Sequence, residues 1–198
     1  SIVNRFDQLK PKVLLAHKNY SYNGKIFNQN KKIEELKSKL PSVEQMILFD
    51  SDFDDWNFSS TYWIDFDFIS VEFNHPIWVL FSSGTTGKPK AITHSTGGIL
   101  IEQYKSHSLH QNISEGDRFF WNTTTGWMMW NYAIGSLLCG AKLCLYDGAA
   151  NFPDIGVQWR FAKSVKINHF GNGSPLFIAS MKQNIKDVNN EDLNCIKT

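Results

Sequence analysis

Short apolar runs alternate along the first half of the chain with a segment whose apolar residues recur at helical spacing. Residues 12–16, 45–49 and 77–80 are short and mainly aliphatic or aromatic, which is typical of buried strands. Between the first two runs, apolar residues three and four positions apart predict an amphipathic helix, which Pro41 ends. A strand, a helix and a strand in this order predict a parallel α/β unit.

The same alternation continues in the second half. Predicted strands cover residues 119–121, 142–146 and 166–170, and predicted helices cover residues 98–107, 127–139, 154–165 and 174–183. We therefore predict the α/β class, with a mostly parallel sheet, flanking helices and ligands at the carboxyl ends of the strands. Residues 50–74, rich in aspartate and aromatic residues, fit a solvated connecting loop with a helix packed by its aromatic residues better than a site for a metal or a basic partner. We expect one subdomain in residues 1–74 and a second, incomplete one in residues 75–198.

Composition narrows the function classes. The net charge is +1 without a basic cluster, so neither nucleic acid nor an anionic membrane surface is an expected partner. The apolar runs are too short to span a bilayer, and no signal peptide is recognisable, so a cytoplasmic protein is expected. Cys139, Cys144 and Cys195 lack metal-binding spacing, and their odd number argues against a disulfide framework.

The densest functional signal lies in residues 81–90, Phe-Ser-Ser-Gly-Thr-Thr-Gly-Lys-Pro-Lys, which follow a predicted strand and precede a predicted helix start. Glycines let the backbone approach a ligand closely, and the amides of such a turn form an anion-binding nest. Hydroxyl groups and Lys90 add donors suited to phosphate oxygens. The glycine spacing differs from that of the Walker loop. For two glycines alone, an ordinary surface loop remains the alternative.

The complete ten-residue string resembles the phosphate loop of the adenylate-forming superfamily, which includes acyl-CoA synthetases, luciferases and the adenylation domains of peptide synthetases. Residues 119–131, 145–148 and 169–171 narrow the resemblance to the acetoacetyl-CoA synthetases, and the resemblance extends along nearly the whole chain. It implies part of the large N-terminal α/β domain of such an enzyme. The implied activity converts acetoacetate and ATP to an acyl-adenylate and then forms a thioester with coenzyme A.

The resemblance also implies roles for particular residues. Those expected to hold the ATP phosphates are Ser82, Ser83, Gly84, Thr85, Thr86, Gly87 and Lys90. Lys90 has a solvated surface position as its alternative. Those expected to line the acyl pocket are Thr125, Gly126, Trp127, Met128, Met129 and Trp130. Ordinary core packing is the alternative for the methionines and for Trp130. In related short-chain synthetases the residues after Gly-Trp are smaller and more polar, so the larger residues here favour an acid other than acetate.

Three residues are weaker candidates for the cleft. His94 follows the phosphate loop, and a capping or packing role is its alternative. His169 lies in a predicted strand, where a hydrogen-bonded core histidine is the alternative, and Gly171 follows it. The spacing of histidines and cysteines predicts no metal site.

Other parts of the implied enzyme are not recognisable in the sequence. These are the glutamate motif that holds Mg²⁺, the ribose-binding aspartate, and the C-terminal lid domain with its catalytic lysine. We therefore expect an internal piece of a longer enzyme that by itself binds ATP weakly and turns nothing over. The alternatives are an acetyl- or propionyl-CoA synthetase and a non-catalytic nucleotide-binding relic.

Overall fold

The structure is a computed structural model that describes residues 2–49, 67–82, 87, 89–183, 185 and 193–198. Its α-helices are α1 (Ile2–Leu9), α2 (Asn30–Lys39), α3 (Thr96–Tyr104), α4 (Met128–Gly135), α5 (Val157–Val165) and α6 (Ser174–Gln183). Its strands are β1 (Val13–His17), β2 (Asn19–Tyr22), β3 (Lys25–Asn28), β4 (Gln45–Phe49), β5 (Pro76–Ser82), β6 (Lys90–Ser95), β7 (Arg118–Trp121), β8 (Lys142–Leu143) and β9 (His169–Gly171). The predicted α/β class is confirmed.

The chain divides into two units, residues 1–72 with 79–93 and residues 73–78 with 94–198. In the first unit, β1 and β4 form a parallel pair, as predicted, with Val13 opposite Gln45. Helix α2 lies between these two strands in the sequence. Leu14, Ile33 and Leu40 are buried there. The predicted subdomain boundary at residue 74 stays a prediction.

The second unit is built on a three-stranded parallel sheet in the order β8-β7-β9. Neighbouring residues of a strand point to opposite faces of a sheet, so Phe119 and Phe120 of β7 enter two different cores. Phe119 packs with Ile113, Ala133 and Ala141. Phe120 packs with Ala162, Ile167, Phe170 and Leu176. Burial of each phenylalanine stabilises the fold by about 1.5–3 kcal/mol.

The segment after the glycine-rich stretch differs from the prediction. We expected a loop leading into a helix, but β6 lies between them and pairs with β5. Helix α3 then begins after Ser95, whose Oγ accepts a hydrogen bond from the Gly98 amide at 3.3 Å. The helix continues as a π-helix, Lys105–His110, so the predicted helix of residues 98–107 is observed in two parts.

Other elements were missed or have different bounds. Helix α1 and the antiparallel β2–β3 hairpin were not predicted. Strand β8 is shorter than predicted, and β9 begins only at His169. This last difference places His169 at the amino end of its strand instead of near the carboxyl end.

Candidate active site

The glycine-rich stretch joins the end of β5 to the start of β6. Ser82 is the last residue of β5 and is half-buried, whereas Gly87 and Lys90 are exposed. A Cβ added at Gly87 would have no neighbour within 4 Å among the described residues. The other predicted phosphate-binding residues, Ser83, Gly84, Thr85 and Thr86, lie outside the described residues, as does Lys88.

Helix α1 contacts both ends of this stretch. The Arg5 guanidinium lies over the Phe81 ring, 6.0 Å from its centroid, and the Gln8 side chain donates a hydrogen bond to the Pro89 carbonyl at 3.1 Å. A cation over an aromatic face is attracted by the ring quadrupole. The helix therefore holds residues on either side of the glycines, a role that the sequence analysis did not find.

The predicted acyl-pocket residues lie in a turn after β7, at residues 125–127, and in the start of α4, at residues 128–130. The Trp127 amide donates to the Thr124 carbonyl at 3.0 Å, and Trp127 in its extended conformation precedes the first residue of α4, Met128. Trp127 is 64% and Met128 49% exposed, while Met129 and Trp130 are half-buried. We call residues 125–130 the acyl wall. Its large exposed apolar side chains follow the carboxyl end of a parallel strand by a few residues, and ligands of such sheets bind beyond those ends.

Aromatic contacts hold α4, the helix that carries part of the acyl wall. Tyr132 stacks on His107 with ring centroids 4.2 Å apart and meets Trp121 edge to face at 6.2 Å. The His107 imidazole is fully buried, and its Nδ1 lies 2.7 Å from the Gln103 carbonyl oxygen. Burial lowers the pKa of His107, although the hydrogen bond to Gln103 opposes this effect. The π-helix thus supplies a neutral ring beneath α4.

Gly171 closes β9 beside the segment that leads to the acyl wall. Its carbonyl accepts the Asn122 amide at 2.9 Å, so the carboxyl ends of β7 and β9 are joined. A Cβ added at Gly171 would lie inside the Trp121 indole, far closer than the 3.0 Å that real Cβ atoms respect. Only glycine therefore fits under Trp121 in its present position.

The two candidate histidines lie on β6 and β9. His94 is on β6, half-buried, and its buried Nδ1 has no partner among the described residues. His169 lies at the amino end of β9, the end opposite to Gly171. Its Nε2 is 3.1 Å from an Asp117 carboxylate oxygen, and its Nδ1 is 2.6 Å from Thr198 Oγ1. The structure thus joins Gly171 to Asn122, three residues before the acyl wall, whereas His169 lies at the other end of β9.

Asp117 is the centre of a buried polar network at the amino ends of the strands. Its carboxylate accepts hydrogen bonds from Lys197 Nζ at 2.7 and 2.9 Å and from the Ser114 amide at 3.0 Å. Burial by itself raises the pKa of Asp117, but the bonds from Lys197, Ser114 and His169 outweigh it and lower the pKa to about 2. The carboxylate is therefore ionised at neutral pH and anchors Lys197.

Comparison with known proteins identifies the family. The profile described as AMP-binding enzyme matches residues 1–197. The chain belongs to the AMP-binding enzyme family.

Among individual AMP-binding enzymes, the chain is similar to acetoacetyl-CoA synthetases. The chain is 31% identical to acetoacetyl-CoA synthetase of Mus musculus over 100% of its own length and 32% of that protein. It is 33% identical to acetoacetyl-coenzyme A synthetase of Rhizobium meliloti (strain 1021), over 99% of its length and 32% of that protein. The resemblance predicted from sequence is confirmed. The chain spans about a third of the length of these curated relatives.

A solved structure supports the same relationship. The acetoacetyl-CoA synthetase from Streptomyces lividans is 37% identical and superposes with a TM-score of 0.88, covering 98% of this chain and 31% of that one. In the part of our AMP-binding enzyme that the structure describes, no helix has the length and apolarity needed to cross a membrane. Across the same residues, no group of three or more histidine, cysteine, aspartate or glutamate side chains could hold a metal ion.

Proposed function

We propose that this AMP-binding enzyme takes part in the ATP-dependent ligation of acetoacetate to coenzyme A. The proposal is supported by its similarity, along the whole chain, to acetoacetyl-CoA synthetases. The observation that carries it within the structure is the acyl wall, because Trp127 and Met128 expose apolar surface at the carboxyl end of β7. A flat indole and an adaptable thioether suit the hydrocarbon part of a short acid.

The reaction proceeds in two steps. A carboxylate oxygen of acetoacetate attacks the α-phosphorus of ATP, the bond from that phosphorus to the bridging oxygen breaks, and pyrophosphate leaves. The sulfur of coenzyme A then loses its proton and attacks the acyl carbon, and AMP leaves with the oxygen that joined it to that carbon. In-line geometry and neutralisation of the leaving phosphates are what the protein must supply.

The residues of this chain would divide that work. The amides and hydroxyls of the glycine-rich stretch, with Lys90, would hold the β- and γ-phosphates. Helix α1 would keep the stretch in place through Arg5 and Gln8. The acyl wall would border the acid. Mg²⁺ would supply charge neutralisation, but the described residues assemble no ligand cluster that fits it, and we assign it no step here.

Exchange of pyrophosphate into ATP, measured on the full-length protein, tests this function. We expect exchange that prefers acetoacetate to acetate. Changing Thr85 and Thr86 together to alanine should reduce the exchange rate by about 100-fold or more. Each hydrogen-bond donor to the charge that develops in the transition state contributes a rate factor of about this order. Thr93→Ala is the matched control, since Thr93 is an exposed threonine on β6 outside the loop.

The other outcomes separate the rival functions. Exchange with acetate or propionate but not with acetoacetate would retain the two-step mechanism and reject the proposed acid. If no short acid supports exchange although ATP binds, the protein is a nucleotide-binding module without ligase activity. An equal loss of exchange in the Thr93 control and in the double variant would reject the assignment of the phosphate loop.

A further inference from the structure

A pair of side-chain amides lies just beyond the carboxyl end of β9. Asn172 is half-buried, and its Oδ1 accepts the Gly173 amide hydrogen at 2.8 Å. Its Nδ2 donates to Oε1 of Gln158, a residue of α5 with no exposed surface. Neither residue has a role in the proposed reaction.

The direction of each amide follows from one backbone group. A backbone N–H can only donate, so the amide of Gly173 requires the oxygen of Asn172 to point toward it. The nitrogen of Asn172 then faces Gln158, which must present its oxygen. As a result, the buried Nε2 of Gln158 has no hydrogen-bond partner among the described residues. Leaving a buried donor unpaired is costly, so Gln158 keeps this orientation because Asn172 needs an acceptor.

Asn172 also contacts the segment that leads into the acyl wall. Its Oδ1 lies 3.5 Å from Nδ2 of Asn122, the first residue after β7. The amide of Asn122 donates to the carbonyl of the neighbouring Gly171 at 2.9 Å. Only two residues separate Asn122 from Thr125, where the acyl wall begins. A shift of Asn172 would therefore move the start of the acyl wall.

We propose that Asn172 is a positioning residue for the acyl wall and that Gln158 sets the orientation of its amide. That the wall binds a short keto acid rests on the proposed function. When the link is lost, the acid is held in the wrong place while the phosphate loop is untouched. The preference for acetoacetate over acetate then falls, and the KM for ATP stays the same.

Asn172→Leu in the full-length protein removes the link. We expect about a 10–100-fold loss of kcat/KM for acetoacetate, because a displacement of about 1 Å costs rates of this order. Hydrogen exchange followed by mass spectrometry should show faster exchange in peptides covering residues 122–130. This second readout needs no activity, so it decides the role of Asn172 even if wild-type protein activates no short acid and the proposed function fails.

The matched control is Asn168→Leu. Asn168 is also half-buried and also joins β9 to β7, but at the amino ends, where its Oδ1 accepts the Arg118 amide at 2.8 Å. Both leucine variants should lower the melting temperature. Only Asn172→Leu should speed exchange in residues 122–130 and reduce the acid preference. Equal effects of the two variants, or no effect of Asn172→Leu on residues 122–130, would overturn the proposal.

A second pair of variants tests the orientation and remains informative if Asn172→Leu does not fold. In Asn172→Asp one oxygen still accepts the Gly173 amide, and Gln158 can rotate its amide to donate its unpaired Nε2 to the other. We expect the hydrogen-exchange rate of residues 122–130 in this variant to equal that of the wild type. Methionine has no hydrogen-bond donor, so the double variant Asn172→Asp with Gln158→Met should lose this bond. Its hydrogen exchange in residues 122–130 should be faster than the sum of the two single effects predicts. Additive effects would overturn the role of Gln158.

Discussion

Replacing Asp117 by asparagine should remove a pH-dependent contribution to stability. The carboxyl group has a pKa of about 2 in the folded chain against 3.8 as its ordinary value, a difference of 3.8 − 2 = 1.8. At about 1.4 kcal/mol for each tenfold change in the ionisation equilibrium, the ionised form stabilises the fold by about 2 kcal/mol. Because the folded pKa is the lower one, this contribution is complete above pH 3.8 and is lost as the pH falls toward 2.

The assay is urea unfolding of wild type and Asp117→Asn at several pH values between 6 and 2. The difference in the free energy of unfolding should be largest above pH 4 and should shrink by about 2 kcal/mol toward pH 2. Asp154→Asn is the control, because Asp154 forms an exposed pair with Arg160, and such surface pairs contribute little. A difference between wild type and Asp117→Asn that stays constant across this pH range would refute the reasoning.

Two further predictions concern the support of the acyl wall. Gly171→Ala should lower the free energy of unfolding by about 1–3 kcal/mol because its Cβ overlaps Trp121; Gly126→Ala, whose Cβ meets nothing within 4 Å, is the control in the same urea assay, and equal losses would contradict the argument. Burial holds the pKa of His107 below 6.5, so its contribution is present above that pH and falls as the pH drops. His107→Phe should flatten the stability profile between pH 7 and 5, and an unchanged slope would disprove this.

The spacing of apolar residues predicted those helices and strands whose formation is decided by residues close in sequence. The spacing of apolar positions gave α2 and the two strands beside it, and a parallel pair follows from that order because a helical crossover joins parallel strands. The continuous turn into α4 follows similarly from Gly126 and the apolar run after it. Strand β6 was missed because Thr93, Ser95 and Thr96 suit both strands and helix starts, and only pairing with β5 decides between them.

Features that depend on distant residues could not be predicted. The need for glycine at position 171 arises from Trp121, fifty positions earlier, which covers it. His169 lies at the start of β9 because the strand begins three residues later than the pattern indicates, and its role in the cleft stays a prediction. The Asp117 network joins residues 52 and 80 positions apart, and a single sequence carries no sign of such pairings. The roles of the phosphate-loop residues stay predictions.

The wide sequence separation within the Asp117 network has a consequence for synthesis on the ribosome. Lys197 is made 80 residues after Asp117, which at about 5–20 residues per second is a delay of roughly 4–16 s. During that time β7 is complete, but the buried carboxylate of Asp117, the residue just before it, lacks a cation. Once β9 is made and paired with β7, its other edge also lacks a partner until Thr198 is added, since Phe170 donates its amide hydrogen to the Thr198 carbonyl at 2.8 Å. A nascent chain that stalls in this interval exposes an unpaired strand edge, and chaperones that recognise such edges would bind it there.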